Sequence, residues 1–556
     1  MNLQTEITQE QIKNLEKKLL NKEFQSLETL IQKLNKKKFN HPAVKIIYAN
    51  AKVLKMNPTL IDKKIAFDIF IDTYKANTNF VPALLNACVL CFEIKEYSKI
   101  LDLLKVFVKK NKYNSKIYET LYKIYAVLGD VDSAIIILKK VVTIETENLK
   151  AWSSLIFCLN YSENYSQKEY INFSKKFSKN IKIYNEEKAQ LLNFRSQRIK
   201  LGFLFSYFKE NSINGFLNGF ISNIDKNIFE VVAFNLSNVD LKIEGLKKNF
   251  DGWFDVYNLD NLSLINFIRN KNVNILIDLM GHGPGNRLPV FKNRAAPIQI
   301  SWMGYCNSSG LDEMDYIVAD YNLIKFEEEN TYSEKVLYLP KIWNSHEVMN
   351  EALIIKELPF DKNNYFTFGS FNNFKKISKS VIEVWSEILR QTEGKLILKS
   401  SMHNDEELRD KIYSKFSKKI LRNHQIKILV GQKEKDDHLK TYNQIDLSLD
   451  TFPYNGVTTS FESIWMGVPI LTIKGDNFVS RTGESINNNL NLEEFIAKNK
   501  DDYIHKAIKF SKKPEKLREL RKSLREKSKN SPLFDTKRFS DEFSFQLKHV
   551  WLKKNL

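Results

Sequence analysis

The sequence predicts an α-solenoid followed by two Rossmann-like α/β domains. Three observations carry the prediction: apolar residues that recur every 34 positions in a helical N-terminal part, a change near residue 198 to short apolar runs alternating with helices, and a second such series from residue 366. At 556 residues the chain is too long for one core. The expected division is 1–160 helical repeats, 161–197 a linker helix, 198–350 a first α/β lobe, and 351–556 a second lobe with C-terminal helices.

In the repeats, Leu84, Tyr118 and Trp152 are 34 apart, as are Ile100 and Ala134, Leu104 and Leu138, and Phe107 and Val141. A further step back reaches Ala66, Phe70 and Thr73. Within one unit, Tyr118, Leu121, Tyr125, Ala134, Leu138 and Val141 follow the large and small pattern of tetratricopeptide repeats, with Gly129 and Asp130 in the turn. The register holds over 80–147, is partly kept over 46–79 and 148–181, and fades before residue 46. An irregular helical bundle is the competing reading. Stacked helix pairs form a solenoid whose concave side can hold an extended peptide. The polar stretch from Tyr161 to Arg198 reads as the linker.

Ile199 to Ser206, Asn227 to Phe234 and Val273 to Leu279 read as strands of a doubly wound parallel sheet. Ligands sit at the carboxyl ends of such strands, so three loops are candidates: Ser206 to Gly215, Gly281 to Arg287, and Gly304 to Gly310 with Tyr305. In GHGPGNR, Gly281, Gly283 and Gly285 let backbone approach a ligand, while His282 and Arg287 supply donors. An ordinary hydrogen-bonded loop histidine explains His282 equally well.

The second sheet opens with Phe366 to Phe371, followed by the loop Asn372 to Lys376 and a helix from Ser378 to Leu389. Gly394 to Lys399 and Ile426 to Val430 are further strands, and amphipathic helices from Glu493 through Trp551 fold back across both lobes. Asp446 to Asp450 and Val468 to Ile473 flank a helix from Thr459 to Met466, making a βαβ unit with a glycine loop before its helix. Asn455, Gly456, Thr458 and Thr459 place unpaired N–H groups where an anion can approach, and Glu462 one turn on suits a ribose hydroxyl. These features leave a nucleotide site and a ligand-free structural unit both open.

Composition narrows the classes. A hydrophobic content of 43% with 27% charged residues is that of a globular protein. With no run of eighteen apolar residues and no basic-then-apolar leader in MNLQTEITQEQ, a cytoplasmic protein without membrane attachment is expected. Four cysteines argue against a disulfide framework, and Cys88 and Cys91, in an apolar helical run without a second pair, read as packing thiols rather than metal ligands. The net charge of +19 is spread through the chain without a nucleic-acid motif, so it reads as a lysine-rich surface, with attraction to acidic protein substrates second.

The segment DLSLDTFPYNGVTTSFESIWMGVPILT resembles the nucleotide-sugar segment of the SPINDLY and protein O-GlcNAc transferase family, tetratricopeptide-bearing glycosyltransferases of the GT-B fold. ILIDLMGHGPGNRLPVFKNRAAPIQISWMGYCNSSGLDEMDYIVAD, EKVLYLP and FGSFNNFKKISKSVIEVWSEIL repeat the resemblance in the same order. It implies that Lys376 binds the diphosphate, His438 contacts the base, Thr458 and Thr459 hold phosphate beside Gly456, Glu462 holds ribose, and Asn373 stands where relatives carry glutamine or asparagine. It also implies catalysis without a metal or other cofactor; no Asp-x-Asp pair in a loop context would hold one.

Two departures stand out. Asn211, in FKENSINGF, replaces a histidine of most members, and asparagine cannot take a proton at neutral pH. His282 is the substitute to test. Val457 replaces a histidine of the animal members, as in the SPINDLY branch.

The expected activity is therefore an inverting, metal-independent transfer of sugar to Ser or Thr of proteins held in the repeat groove, with UDP-GlcNAc narrowly preferred as donor. Three alternatives remain: fucosyl transfer from GDP-fucose, as in the SPINDLY branch; a scaffold that binds nucleotide sugar with little turnover; and transfer to surface glycans or lipids. No nucleic-acid or membrane partner is expected, and a homo-oligomer is left open.

Overall fold

The computed structural model describes residues 7–34, 36–110, 113–184, 198–205, 213–238, 244–350, 356–400, 406–417, 425–430 and 435–555. The chain divides into two compact units, Met1–Tyr125 with Asp405–Glu407, and Ala126–Asn404 with Leu408–Leu556.

The first unit is helical. Pro42–Leu54 pairs with Leu60–Ala76, and Val81–Ile94 with Tyr97–Lys109, giving two tetratricopeptide-like helix pairs. Thr59 starts its helix with a capping box, accepting from the Asp62 N–H at 3.1 Å while Asp62 accepts from the Thr59 N–H at 3.0 Å. The equivalent positions read from the sequence, Ala66, Phe70, Thr73, Leu84, Ile100, Leu104 and Phe107, are all buried. Cys88 and Cys91 are buried among them, and burial pushes their thiols up to about 11 and about 12, so both pack rather than react. Before residue 46 the repeat register fades, yet Ile12, Leu15, Leu27, Ile31, Val44 and Ile47 still close a core.

In the second unit, helices Val131–Ile144, Leu149–Leu159 and Gln167–Lys179 continue the pattern, with Ala134, Leu138, Val141 and Trp152 buried. Within the stretch read as a linker, 161–197, helix occupies Gln167–Lys179, begun by a Ser166–Glu169 capping box; 185–197 lie outside the described residues. These helices pack directly on the α/β part. Asn160 Nδ2 donates to the Tyr305 hydroxyl at 2.8 Å, and the Tyr170 hydroxyl donates to the Ser308 carbonyl at 2.7 Å.

The first lobe is a parallel sheet of β1 (Ile199–Phe205), β2 (Phe229–Asn235), β3 (Gly252–Asp255), β4 (Ile275–Asp278), β5 (Ile298–Ser301), β6 (Tyr316–Asp320) and β7 (Lys335–Leu339), in the order β3-β2-β1-β4-β5-β6-β7. The three runs read as strands fall on β1, β2 and β4. β3 gives no such signal, because GWFD is a short, half-exposed edge. The second lobe holds β8 (Thr367–Ser370), β9 (Lys395–Ser400), β10 (Ile426–Val430), β11 (Leu447–Leu449), β12 (Ile470–Ile473) and β13 (Ile496–Ala497), ordered β10-β9-β8-β11-β12-β13 and parallel throughout. β13 corrects the reading of everything beyond Glu493 as helix: its two residues extend the sheet beside β12, too few to show a period.

Glu515–Lys529 packs on helix Thr458–Trp465, where Arg525 Nε donates to the Trp465 carbonyl at 2.7 Å. Thr536–Asn555 returns to the first lobe, with Phe539 and Phe543 against Trp302 and Phe220. The lobes are also joined by Arg481, which grips both carboxylate oxygens of Glu328, and by the Ser485 hydroxyl, which donates to Asp320 at 2.7 Å. Among the described residues, no helix is long and apolar enough to cross a membrane.

Candidate functional site

In each sheet the strand order reverses once, between β1 and β4 and between β8 and β11, and a crevice opens beyond the strand ends at such a point. The second-lobe crevice gathers most of the polar residues singled out above.

Directly after β11 stands Asp450, a buried carboxylate that shapes the following loop. Its Oδ1 accepts from the Gly456 N–H at 2.7 Å and the Thr451 N–H at 2.9 Å, and Oδ2 from the Thr472 hydroxyl at 2.9 Å. Burial pushes Asp450 up to about 6 against these hydrogen bonds and the nearby Lys376 charge. Gly456 has no room for a side chain: a Cβ would lie 2.7 Å from Thr459 Oγ1 and 2.9 Å from Asn372 Oδ1. Helix Thr458–Trp465 follows Val457, which offers no side-chain cap, so the positive end of the helix faces the crevice at Thr458 and Thr459; the N–H groups of Asn455 and Gly456, expected from the sequence to be unpaired, instead donate to the Val479 carbonyl at 3.2 Å and to Asp450 at 2.7 Å as they shape the loop. Thr458 and Thr459 stand at that mouth.

Lys376 lies across the loop, its Nζ donating to the Asn455 carbonyl at 2.6 Å and resting 4.3 Å from the centre of the Tyr454 ring. Burial lowers its ammonium to about 8, opposed by Asp450. The asparagine that meets the loop is Asn372, buried and accepting from Thr459 Oγ1 at 3.1 Å. Asn373, the neighbour named from the sequence, is exposed and caps a 3-10 turn through the Lys375 N–H at 3.1 Å. Successive residues leave a strand end on opposite sides, and only the first faces the crevice.

Deeper along the helix, Glu462 is buried and meets His438 Nε2 at 3.0 Å and the Tyr442 hydroxyl at 3.2 Å, both at Oε2. Tyr442 also donates toward the Thr459 carbonyl at 3.1 Å. Beneath His438, the buried Lys399 donates to Thr441 Oγ1 at 2.8 Å and to the His438 carbonyl at 3.4 Å; burial lowers it to about 8, opposed by Glu462 and Asp437.

The first-lobe candidates are not part of this cluster. His282 is 2% exposed. Its Nε2 faces the Ser309 carbonyl at 2.9 Å and so carries the hydrogen, which leaves Nδ1 to accept from Ser153 at 3.3 Å. Burial lowers it to about 3, and Phe177 lies edge-on at 4.9 Å. The helical repeats have enclosed the residue expected to replace a base; it joins two parts of the fold. Gly281 has φ +48°, and a Cβ there would meet the Tyr305 ring at 2.4 Å. Tyr305 itself is buried between Asn160 and Tyr170, and Arg287 clamps the Asn261 side chain at 2.8 Å and the Leu259 carbonyl at 2.7 Å. Gly281, Arg287 and Tyr305 thus build the loop framework. Asn211 lies outside the described residues.

Asp450, Asn372, Tyr442 and Lys399 escape the sequence reading. A strand-terminal aspartate six residues before a glycine loop is the one signal that could have found Asp450.

Two Rossmann-like lobes in sequence, each a parallel sheet with one switch point, define the GT-B class. Residues 174–364 and 356–543 match the family Glycosyl transferase family 41, and the chain belongs to it. It is similar to a probable UDP-N-acetylglucosamine--peptide N-acetylglucosaminyltransferase SPINDLY of Eustoma exaltatum subsp. russellianum, 34% identical over 54% of this chain and 33% of that one. The corresponding Hordeum vulgare protein is 28% identical over 73% of this chain and 44% of that one. The chain thus spans a third to under half of these plant relatives. A solved structure of a mutant Thermobaculum terrenum O-GlcNAc transferase has the same fold, with TM-score 0.78 and 23% identity over 93% of this chain and 99% of that one.

Proposed function

We propose that the chain is an inverting, metal-independent glycosyltransferase moving a sugar, GlcNAc from UDP-GlcNAc in the first instance, to Ser or Thr hydroxyls of proteins. The observation that carries it is the meeting of Lys376, the Gly456–Thr459 helix mouth and the His438–Glu462 pair in one crevice. Their spacing suits a nucleoside diphosphate, with diphosphate at the lysine and helix N–H groups, ribose at Glu462 and base beside His438.

In the reaction the acceptor oxygen forms a bond to the anomeric carbon from the face opposite the diphosphate, and the bond from that carbon to the diphosphate oxygen breaks. Negative charge grows on the diphosphate, where the Lys376 ammonium and the helix mouth stabilise it, work a metal does elsewhere. The enclosed His282 takes no part; the acceptor proton passes to an oxygen of the departing diphosphate. Acceptor proteins are held by the helical repeats, whose stacked pairs suit extended peptide.

A GDP-fucose donor is the second reading, favoured by Glu462 and FGSFNN, which resemble the SPINDLY branch. The deciding experiment incubates the protein with radiolabelled UDP-GlcNAc or GDP-fucose, a peptide library and EDTA, beside Lys376→Ala. Label passing to peptide from one donor, and lost in the variant, supports transfer and names the sugar. Nucleotide binding without transfer from either donor overturns the enzymatic reading in favour of a scaffold, and label restored only when metal replaces EDTA overturns metal independence.

A further inference from the structure

Tyr454 sits in the loop between Asp450 and Gly456 and does two things there. Its ring lies under the Lys376 ammonium, 4.3 Å from centre to Nζ, and it stacks on Tyr161 with centres 4.6 Å apart and planes at 29°. Tyr161 comes from a distant part of the chain, just beyond repeat helix Leu149–Leu159. It leans on Phe157 at 5.5 Å, which stacks on Tyr305 at 5.9 Å, which meets His282 edge-on at 5.6 Å. One row of rings therefore runs from the first-lobe loop, through the repeat helices, to the lysine of the second-lobe crevice. Hydrogen bonds fix the row at Tyr305, whose hydroxyl is 2.8 Å from Asn160 Nδ2 and 2.7 Å from the Tyr170 hydroxyl.

The geometry matters because Lys376 is otherwise a long, flexible side chain. A cation over a ring face is attracted by the ring quadrupole, most strongly where water is scarce. The other anchor described for the ammonium is the carbonyl of Asn455, the residue after Tyr454, so one loop fixes it twice. Holding the ammonium by one N–H and a ring face keeps two N–H donors for phosphate oxygens.

We propose that Tyr454 and Tyr161 are positioning residues for Lys376: Tyr454 holds the ammonium over the phosphate loop, and Tyr161, delivered by the helical repeats, holds the Tyr454 ring in place. The last repeat is then part of the donor site and not only an acceptor-binding arm. This rests on the donor-site reading above.

The test is titration of the whole 556-residue chain with UDP and with GDP, in wild type, Lys376→Ala, Tyr454→Phe, Tyr454→Leu, Tyr161→Phe, Tyr161→Leu, and Lys376→Ala combined with Tyr161→Leu, each with a thermal melt. Phenylalanine keeps both ring contacts, so those variants bind as wild type. Each leucine variant binds roughly five- to tenfold more weakly, the span of a partly desolvated cation–ring contact. In the double variant the loss stays that of Lys376→Ala, because Tyr161 acts through the lysine. Losses that add in the double variant, or leucine variants that bind as wild type, overturn the proposal. The additivity reads out the coupling even where a leucine variant melts earlier. If neither nucleotide binds wild type, or Lys376→Ala binds as well as wild type, the donor-site reading itself fails.

Discussion

Lys376 should make donor capture fall with rising pH about 2.5 pH units earlier than an ordinary lysine would. Burial holds its ammonium at about 8. A lysine with lowered pKa is charged below that value and loses its charge as pH rises through it, so on the proposed donor-site reading the form that binds diphosphate is the low-pH form. At that value the group is about 90% charged at pH 7 and about 10% at pH 9, against nearly full charge at both for a lysine at its usual value. Because kcat/KM for the nucleotide sugar reports the free enzyme, it should drop about tenfold between pH 7 and pH 9, while kcat, measured on the complex whose diphosphate restores the charge, should drop less. Lys376→Arg keeps a charge throughout the range and should flatten the profile at a lower plateau. Lys399, also held at about 8, is the rival source of such a descent. A descent that survives Lys376→Arg, or a flat wild-type profile, refutes the reasoning; descent in Lys376→Arg that disappears on Lys399→Met moves it to the neighbour.

Three further outcomes follow from the geometry. Gly456→Ala forces a methyl group against Thr459, Asn372 and Ser460, all under 3.0 Å away, and should weaken UDP or GDP binding at least tenfold while costing about 1–3 kcal/mol in a denaturant titration; binding within twofold of wild type would contradict the packing. His282→Ala should lower stability by about 1–3 kcal/mol, from the stranded Ser309 and Ser153 partners, with kcat of the folded fraction retained; a thousandfold loss of kcat at unchanged melting temperature would restore it as a base. Glu462→Gln replaces the carboxylate that accepts from Tyr442 and meets His438 by an amide and should raise the KM for donor about tenfold with little change in kcat, checked by initial rates.

How far the site could be read from the sequence depended on distance along the chain. Gly456, Thr458, Thr459 and Glu462 lie within one loop and two helical turns, so local pattern already placed them together. The 34-residue spacing likewise named buried positions correctly, since each repeat packs on its neighbours. Lys376 and His438 come from other strand ends: a Rossmann-like sheet already puts the loop carrying Lys376 beside the Gly456 loop, whereas only resemblance suggested that His438 would join it. His282 misled for a physical reason: glycines at a strand end look like a ligand loop, and nothing nearby in sequence reveals that Ser153 and Phe177 will cover it. Asn372 and Asn373 are chemically identical, and a one-residue difference in direction decides which one faces the crevice. Tyr161 and Tyr454 are nearly three hundred positions apart, and neither looks unusual alone.

The C-terminal helix Thr536–Asn555 has a practical meaning for anyone dividing the protein. It belongs in space to the lobe that ended, in sequence, near residue 350, and its Phe539 and Phe543 cover Trp302 and Phe220. A fragment ending after β7 would therefore leave a large aromatic surface open to water and to other copies of itself. Removing the last twenty residues of the whole chain would injure the opposite lobe from the one they follow. Among the described residues, this helix, the Arg481–Glu328 pair and the Ser485–Asp320 bond all tie the two lobes together.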